Sequence, residues 1–113
     1  MAQVRVMYWK EIPVQVQAHD DGGSVSQPLD PRFQQTVDAI AMFDGSAGSD
    51  AYLDAWTWGP YRDLPGTAGE AASRLAEQYN TRFPDDLAAQ IRDHARAGTR
   101  NPTPGALDSW LDG

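Results

Sequence analysis

Lys10 is the only lysine in the chain, and it sits beside Glu11 between an aromatic pair and Ile12-Pro13. A lysine that attacks a carbonyl needs its amine made neutral by burial or by a neighbouring cation. An adjacent carboxylate does the reverse, so Lys10 reads as a surface cation able to meet a partner's carboxylate or phosphate. His19-Asp20-Asp21 supplies metal-ligand residue types, but three consecutive residues at a strand end do not converge on one ion. The other histidine, His94, is far away in sequence, so no metal is assigned. Asp85/Asp86 follow a proline at a helix start, and Asp50/Asp54 lie one turn apart, as helix-end and solvent-facing carboxylates do. DDGGS and FDGSAGSD are glycine-rich but lack the lysine and the strand–loop–helix frame of a phosphate cradle. No serine sits in a nucleophile elbow. The sequence therefore assigns no catalytic residue and no cofactor.

Arg32, Gln34 and Gln35 stand in the first turns of a helix, where backbone N–H groups and the dipole favour an anion. With Trp58 as a stacking wall, Arg32 and Gln35 form a candidate anion or ligand site. The competing reading has Arg32 pairing locally and the tryptophan packed in the core.

The elements that must position these residues follow from periodicity. Val4, Val6 and Tyr8 alternate with Arg5, Met7 and Trp9, and Ile12, Val14, Val16 and Ala18 repeat the pattern against Pro13, Gln15 and Gln17. Asp20-Asp21-Gly22-Gly23 turns the chain, so residues 25–29 are expected to return as a hairpin partner. Lys10-Glu11 falls at a tight link or bulge between the first two strands. Asp30-Pro31 opens a helix with Phe33, Val37 and Ile40 on its buried stripe. A short helix carries Tyr52 and Leu53, and a fourth strand is expected over 56–62. Thr67-Ala-Gly-Glu70 has capping-box spacing ahead of the stripe Ala68, Ala71, Ala72, Leu75 and Tyr79. Phe83-Pro84 ends that helix, and Leu87, Ile91 and Ala95 carry the next to Gly98. Residues 99–105 read as a linker, before a short amphipathic turn with Leu107, Trp110 and Leu111 on one side, expected to fold back on the domain.

The expected fold is α+β: a three- to four-stranded antiparallel sheet with helices packed on one face, in the order βββααβαα plus a short C-terminal helix. Residues 1–98 form one domain and 99–113 a Pro/Gly-containing tail. The 113 residues carry sixteen acids against nine Lys and Arg, a net charge of −7. That balance argues against nucleic acid and against an anionic membrane surface. The absence of cysteine removes disulfides and thiolate sites. Without a membrane-length apolar run or a secretion signal, the expected location is the cytoplasm.

Three stretches, taken in order, resemble the small bacterial domain of the virulence factor family, also seen as a module in conserved virulence factor C. They are YWKEIPVQVQAHDD at 8–21, LDPRFQQTVDAIAM at 29–42 and SDAYLDAWTWG at 49–59. The resemblance is close as far as Gly59, follows only the helical pattern after Thr67, and does not extend to the segment from Thr99. In larger relatives the module resembles an appendage beside a NifU-like domain and helical repeats, which implies docking or scaffolding. Stand-alone members resemble companions of folate- and corrinoid-linked one-carbon enzymes, which implies an accessory subunit as the alternative. The resemblance brings no catalytic residues.

The face opposite the helices would show Arg5, Met7, Trp9, Gln15, Gln17, Ser24 and Ser26, a composition closer to a contact surface than to a solvated face. The expectation is a non-enzymatic protein-interaction module whose contacts are Met7, Trp9, Lys10, Gln15 and Gln17. Trp9 would be the anchor, and its loss would leave stability nearly unchanged. The partner is another protein; its identity and the oligomeric state, a homodimer included, stay open.

Overall fold

The computed structural model describes residues 1–112, apart from the side chains of Trp110 and Asp112. Three strands lead: β1 (Ala2–Trp9), β2 (Ile12–Asp20) and β3 (Gly23–Pro28). Helices α1 (Pro31–Asp44) and α2 (Asp50–Asp54) follow, then the short strands β4 (Trp56–Trp58) and β5 (Arg62–Leu64). Helices α3 (Ala68–Arg82) and α4 (Leu87–Ala97) and a 3-10 helix (Asp108–Asp112) complete the chain. The sheet is antiparallel, in the order β3-β2-β1-β4, with β5 pairing farther along the β1 edge that β4 uses. The α+β architecture and the layering follow the sequence pattern. The one expected strand over 56–62 is two: the Gly59 N–H still donates to the Val6 carbonyl at 2.8 Å, but Pro60 has no N–H to give and the pairing stops there until Arg62.

Lys10 forms the link between β1 and β2 in a left-handed conformation, φ 53°. The register then slips: Met7 faces Gln15 but Tyr8 faces Pro13, so Val14 is the extra residue of a β-bulge on β2. Inward residues Val4, Val6, Tyr8, Val16 and Ala18 pack against α3, whose alanines at 68, 71, 72 and 76 let its backbone lie close to the sheet. Phe33 of α1 joins Phe83 and Tyr79 in a chain of tilted rings 5.7 and 5.3 Å apart. Leu87 and Ile91 bring α4 into the same core.

The C-terminal segment lies on the domain. Leu111 is buried, and Leu107 packs against the core. The Asp108 carboxylate accepts hydrogen bonds from Tyr8 at 2.6 Å and Tyr79 at 3.1 Å. Burial is the largest influence on both phenols and pushes them well above the ordinary tyrosine range, so they remain proton donors to Asp108. The expectation that Trp110 shares the side of Leu107 and Leu111 lies outside the described residues.

The α3 start is fixed twice. Thr67 and Glu70 form the expected capping box. Asp20, at the end of β2, accepts the Ala68 N–H at 2.7 Å and the Gly22 N–H at 2.7 Å. The hydrogen bond from Ala68, followed by that from Gly22, holds the Asp20 carboxyl below its ordinary value, and the Thr67 N–H does the same for Glu70. A carboxylate with a lowered folded pKa contributes stability that is complete above its unfolded pKa and disappears as pH falls through the folded one. Stability is therefore expected to be level above about pH 5 and to decline below about pH 4. Asp20→Ala should lower the melting temperature at pH 7 and flatten part of that decline, as read from thermal melts at pH 7, 4 and 3. An unchanged acid limb would remove Asp20 from the cause.

Candidate binding face

Strand alternation turns Gln3, Arg5 and Met7 of β1 and Gln15, Gln17 and His19 of β2 away from the α3 side, and all but the exposed Gln3 are half-buried. Ser24 and Ser26 of β3 pair with His19 and Gln17 and are exposed. Trp58 pairs with Met7 across the other edge of β1 and so joins the same face. Arg5 is central to it. Its guanidinium carbon lies 4.1 Å from the Trp58 ring centroid and 4.7 Å from that of Tyr61, and its Nε donates to Gln17 Oε1 at 2.7 Å. Tyr61, 44 % exposed, also meets the His19 ring edge-to-face at 5.0 Å. The strand residues of this face contribute one carboxylate, Asp63, which accepts from Gln3. The arrangement offers a fixed cation between two aromatic walls, flanked by amides, hydroxyls and a thioether.

The structure relocates several residues singled out in the sequence. Trp9 follows Met7 in alternation, yet it is 0 % exposed. Helix α2 covers it: the Tyr52 ring lies 5.7 Å away, and the Tyr52 carbonyl accepts the indole N–H at 2.9 Å. The expectation of Trp9 as an exposed anchor is corrected, because alternation gives the direction of a side chain but not what comes to lie over it. Lys10 is not on the open face. Its ammonium bonds Asp44 at 2.6 Å and sits 4.7 Å over the Trp9 ring. Glu11, its neighbour in sequence, is only 1 % exposed and is gripped by Arg100 through two bonds of 2.7 and 2.9 Å. Arg100 also reaches Asp44, at 3.4 Å. Burial is the largest influence on Asp44 and pushes its carboxyl up, but the bonds from Lys10 and Ser46 outweigh it and hold the group below its ordinary value.

Arg32, Gln35 and Trp58 do not form one site. Trp58 belongs to the sheet face, whereas Arg32 and Gln35 line a groove with Asp85 and Arg92 between α1 and α4. The Arg32 guanidinium donates to the carbonyls of Asn80, Phe83 and Pro84 at 2.5, 3.1 and 2.8 Å, closing the C-terminal end of α3. The chain satisfies this arginine internally: Asp30, a local aspartate, lies 3.6 Å from its Nε, but the hydrogen bonds go to carbonyls about fifty residues away. Among the described residues no group of three His, Asp or Glu side chains is placed to hold a metal ion. The Arg5–Trp58–Tyr61 clamp was not legible in the sequence as a unit. Its only local signal was the outward phase of Arg5, since pairing Met7 with Trp58 requires the sheet register.

An antiparallel sheet with helices packed on it defines an α+β domain. The virulence factor family matches this chain over residues 7–91, and the chain belongs to that family. Membership ties it, at family level, to a virulence-associated role. The match reaches through α3 and into α4, past the stretches on which the sequence resemblance rested, and ends before Arg100 and Asp108. No curated protein and no solved structure matches the chain. Among the described residues no helix is long and apolar enough to cross a membrane.

Proposed function

We propose that this chain is a non-enzymatic protein-interaction module that binds another protein through its open sheet face. The supporting observation is Arg5, held between Trp58 and Tyr61 and tied to Gln17. Tryptophan, tyrosine and arginine dominate interface hot spots, and a side chain immobilised before binding loses little entropy when a partner arrives. Met7, Gln15 and Gln17 extend the contact as adaptable apolar and hydrogen-bonding groups. Trp9 supports the end of the sheet from inside, and Lys10 holds the turn to α1, so neither is a contact in this reading.

A photo-crosslinking residue at Gln15 or Gln17 should capture one discrete protein in native extract, while the same residue at Glu77 on the exposed side of α3 should not. Arg5→Ala in the Gln15-labelled protein should reduce the adduct about tenfold or more, with the circular dichroism spectrum unchanged. Equal capture from Glu77, or an adduct indifferent to Arg5, would remove the sheet face from the function.

A further inference from the structure

We infer that the groove between the last turn of α1 and the loop into α2 is a docking site for a lysine- or arginine-rich amphipathic helix of another protein. This surface is separate from the sheet face and does not depend on it. The groove has a volume of about 200 Å³ and is lined by Asp38, Ala41, Met42, Ala47, Gly48 and Tyr52. Met42 stands at its wall with 76 % of its surface exposed, and Leu53 on α2 is 66 % exposed. The next apolar side chain, Phe43, already lies under Arg96 at 5.5 Å, so Met42 is the open anchor. A flexible thioether at such a surface adapts to varied apolar side chains, as in grooves that receive helices.

The charges specify the partner. Every ionisable residue of α1 and α2 that follows Arg32 is an acid or a tyrosine: Asp38, Asp44, Asp50, Tyr52 and Asp54. Arg32 lies at the far end of α1, on its carbonyls. Asp44 is taken by Lys10 and Arg100, which leaves Asp38, Asp50 and Asp54 without an ion pair among the described residues. Asp38 is one helical turn before Met42, so carboxylate and anchor share a face. The apolar cleft has Asp38 in its wall, which among the described residues accepts only from the Gln34 amide, and Asp50 and Asp54 lie on the helix that carries Tyr52. It complements a helix with leucines or aromatics on one side and cations along its flank.

The probe is a fluorescein-labelled synthetic helix with leucines on one face and lysines on the other, followed by anisotropy. Met42→Ser, at an exposed position, should weaken binding about tenfold. Asp38→Asn, Asp50→Asn and Asp54→Asn together should weaken it about tenfold or more and flatten its salt dependence. A charge-matched control of Asp21→Asn, Glu77→Gln and Asp85→Asn should leave it within about twofold. Equal loss in both triple variants would show attraction to bulk charge only and overturn the site. So would an undiminished affinity in Met42→Ser, or equal binding of a glutamate-bearing counterpart helix. A concentration-dependent dimer in sedimentation, dissolved by Met42→Ser, would assign the groove to a second copy instead.

Discussion

Arg100→Ala should destabilise the fold by about 3–5 kcal/mol in urea unfolding at pH 7, the effect expected when one member of a buried ion pair is removed. Among the described residues Glu11 forms an ion pair with no other cation: Lys10, its neighbour in sequence, bonds Asp44 instead. Without Arg100 the Glu11 carboxylate, 1 % exposed, would lose both of the hydrogen bonds that compensate its burial. The same substitution frees the segment that brings Leu107 and Leu111 to the core and Asp108 to Tyr8 and Tyr79. The double variant Glu11→Met with Arg100→Leu separates charge from packing. It removes both desolvation penalties and keeps much of the volume, so it should recover to within about 1 kcal/mol of the parent. If Arg100→Ala instead costs less than about 1 kcal/mol, as an exposed pair would, the pair is not buried in solution.

Trp9→Ala should cost about 3–5 kcal/mol, the range for emptying a fully buried indole site. The Tyr52 ring and the Lys10 ammonium lie against the indole, and its N–H satisfies the Tyr52 carbonyl. Truncation opens a cavity and also leaves that carbonyl without its donor. Trp9→Phe keeps most of the ring contact and loses the hydrogen bond, so about 1–3 kcal/mol is expected for it. A melting temperature unaffected by Trp9→Ala would return Trp9 to the surface role its alternation suggested. Partner capture is expected to fall with Trp9→Ala only in proportion to unfolding, whereas Arg5→Ala should reduce capture about tenfold or more in a folded protein. Measuring stability and capture on the same two variants distinguishes the structural residue from the contact.

The parts of this protein legible in its sequence are those set by neighbours a few residues apart. The two leading strands, the turn at Asp20–Gly23, the stripe of α1 and the capping box of α3 each follow from a local period or a local hydrogen bond. The order of the family stretches belongs with them. The sheet's second edge was half legible: Trp56–Trp58 reads as strand, but Gly59 just before the break sits where Cβ of any other residue would meet the Tyr8 ring at 2.9 Å. That contact is invisible until the strand is laid beside β1.

The candidate site divides the same way. The chain on its own determined that Arg5, Met7, Gln15 and Gln17 share one phase and that one side of the sheet is polar and half-apolar. Only the tertiary structure decided that Trp58 and Tyr61 enclose Arg5, that α2 covers Trp9, that Arg32 serves the end of α3, and that Glu11 answers to Arg100, 89 residues away. A side chain's direction is fixed by backbone geometry within one or two peptide units, whereas its partner is fixed by which distant element the whole core draws over it.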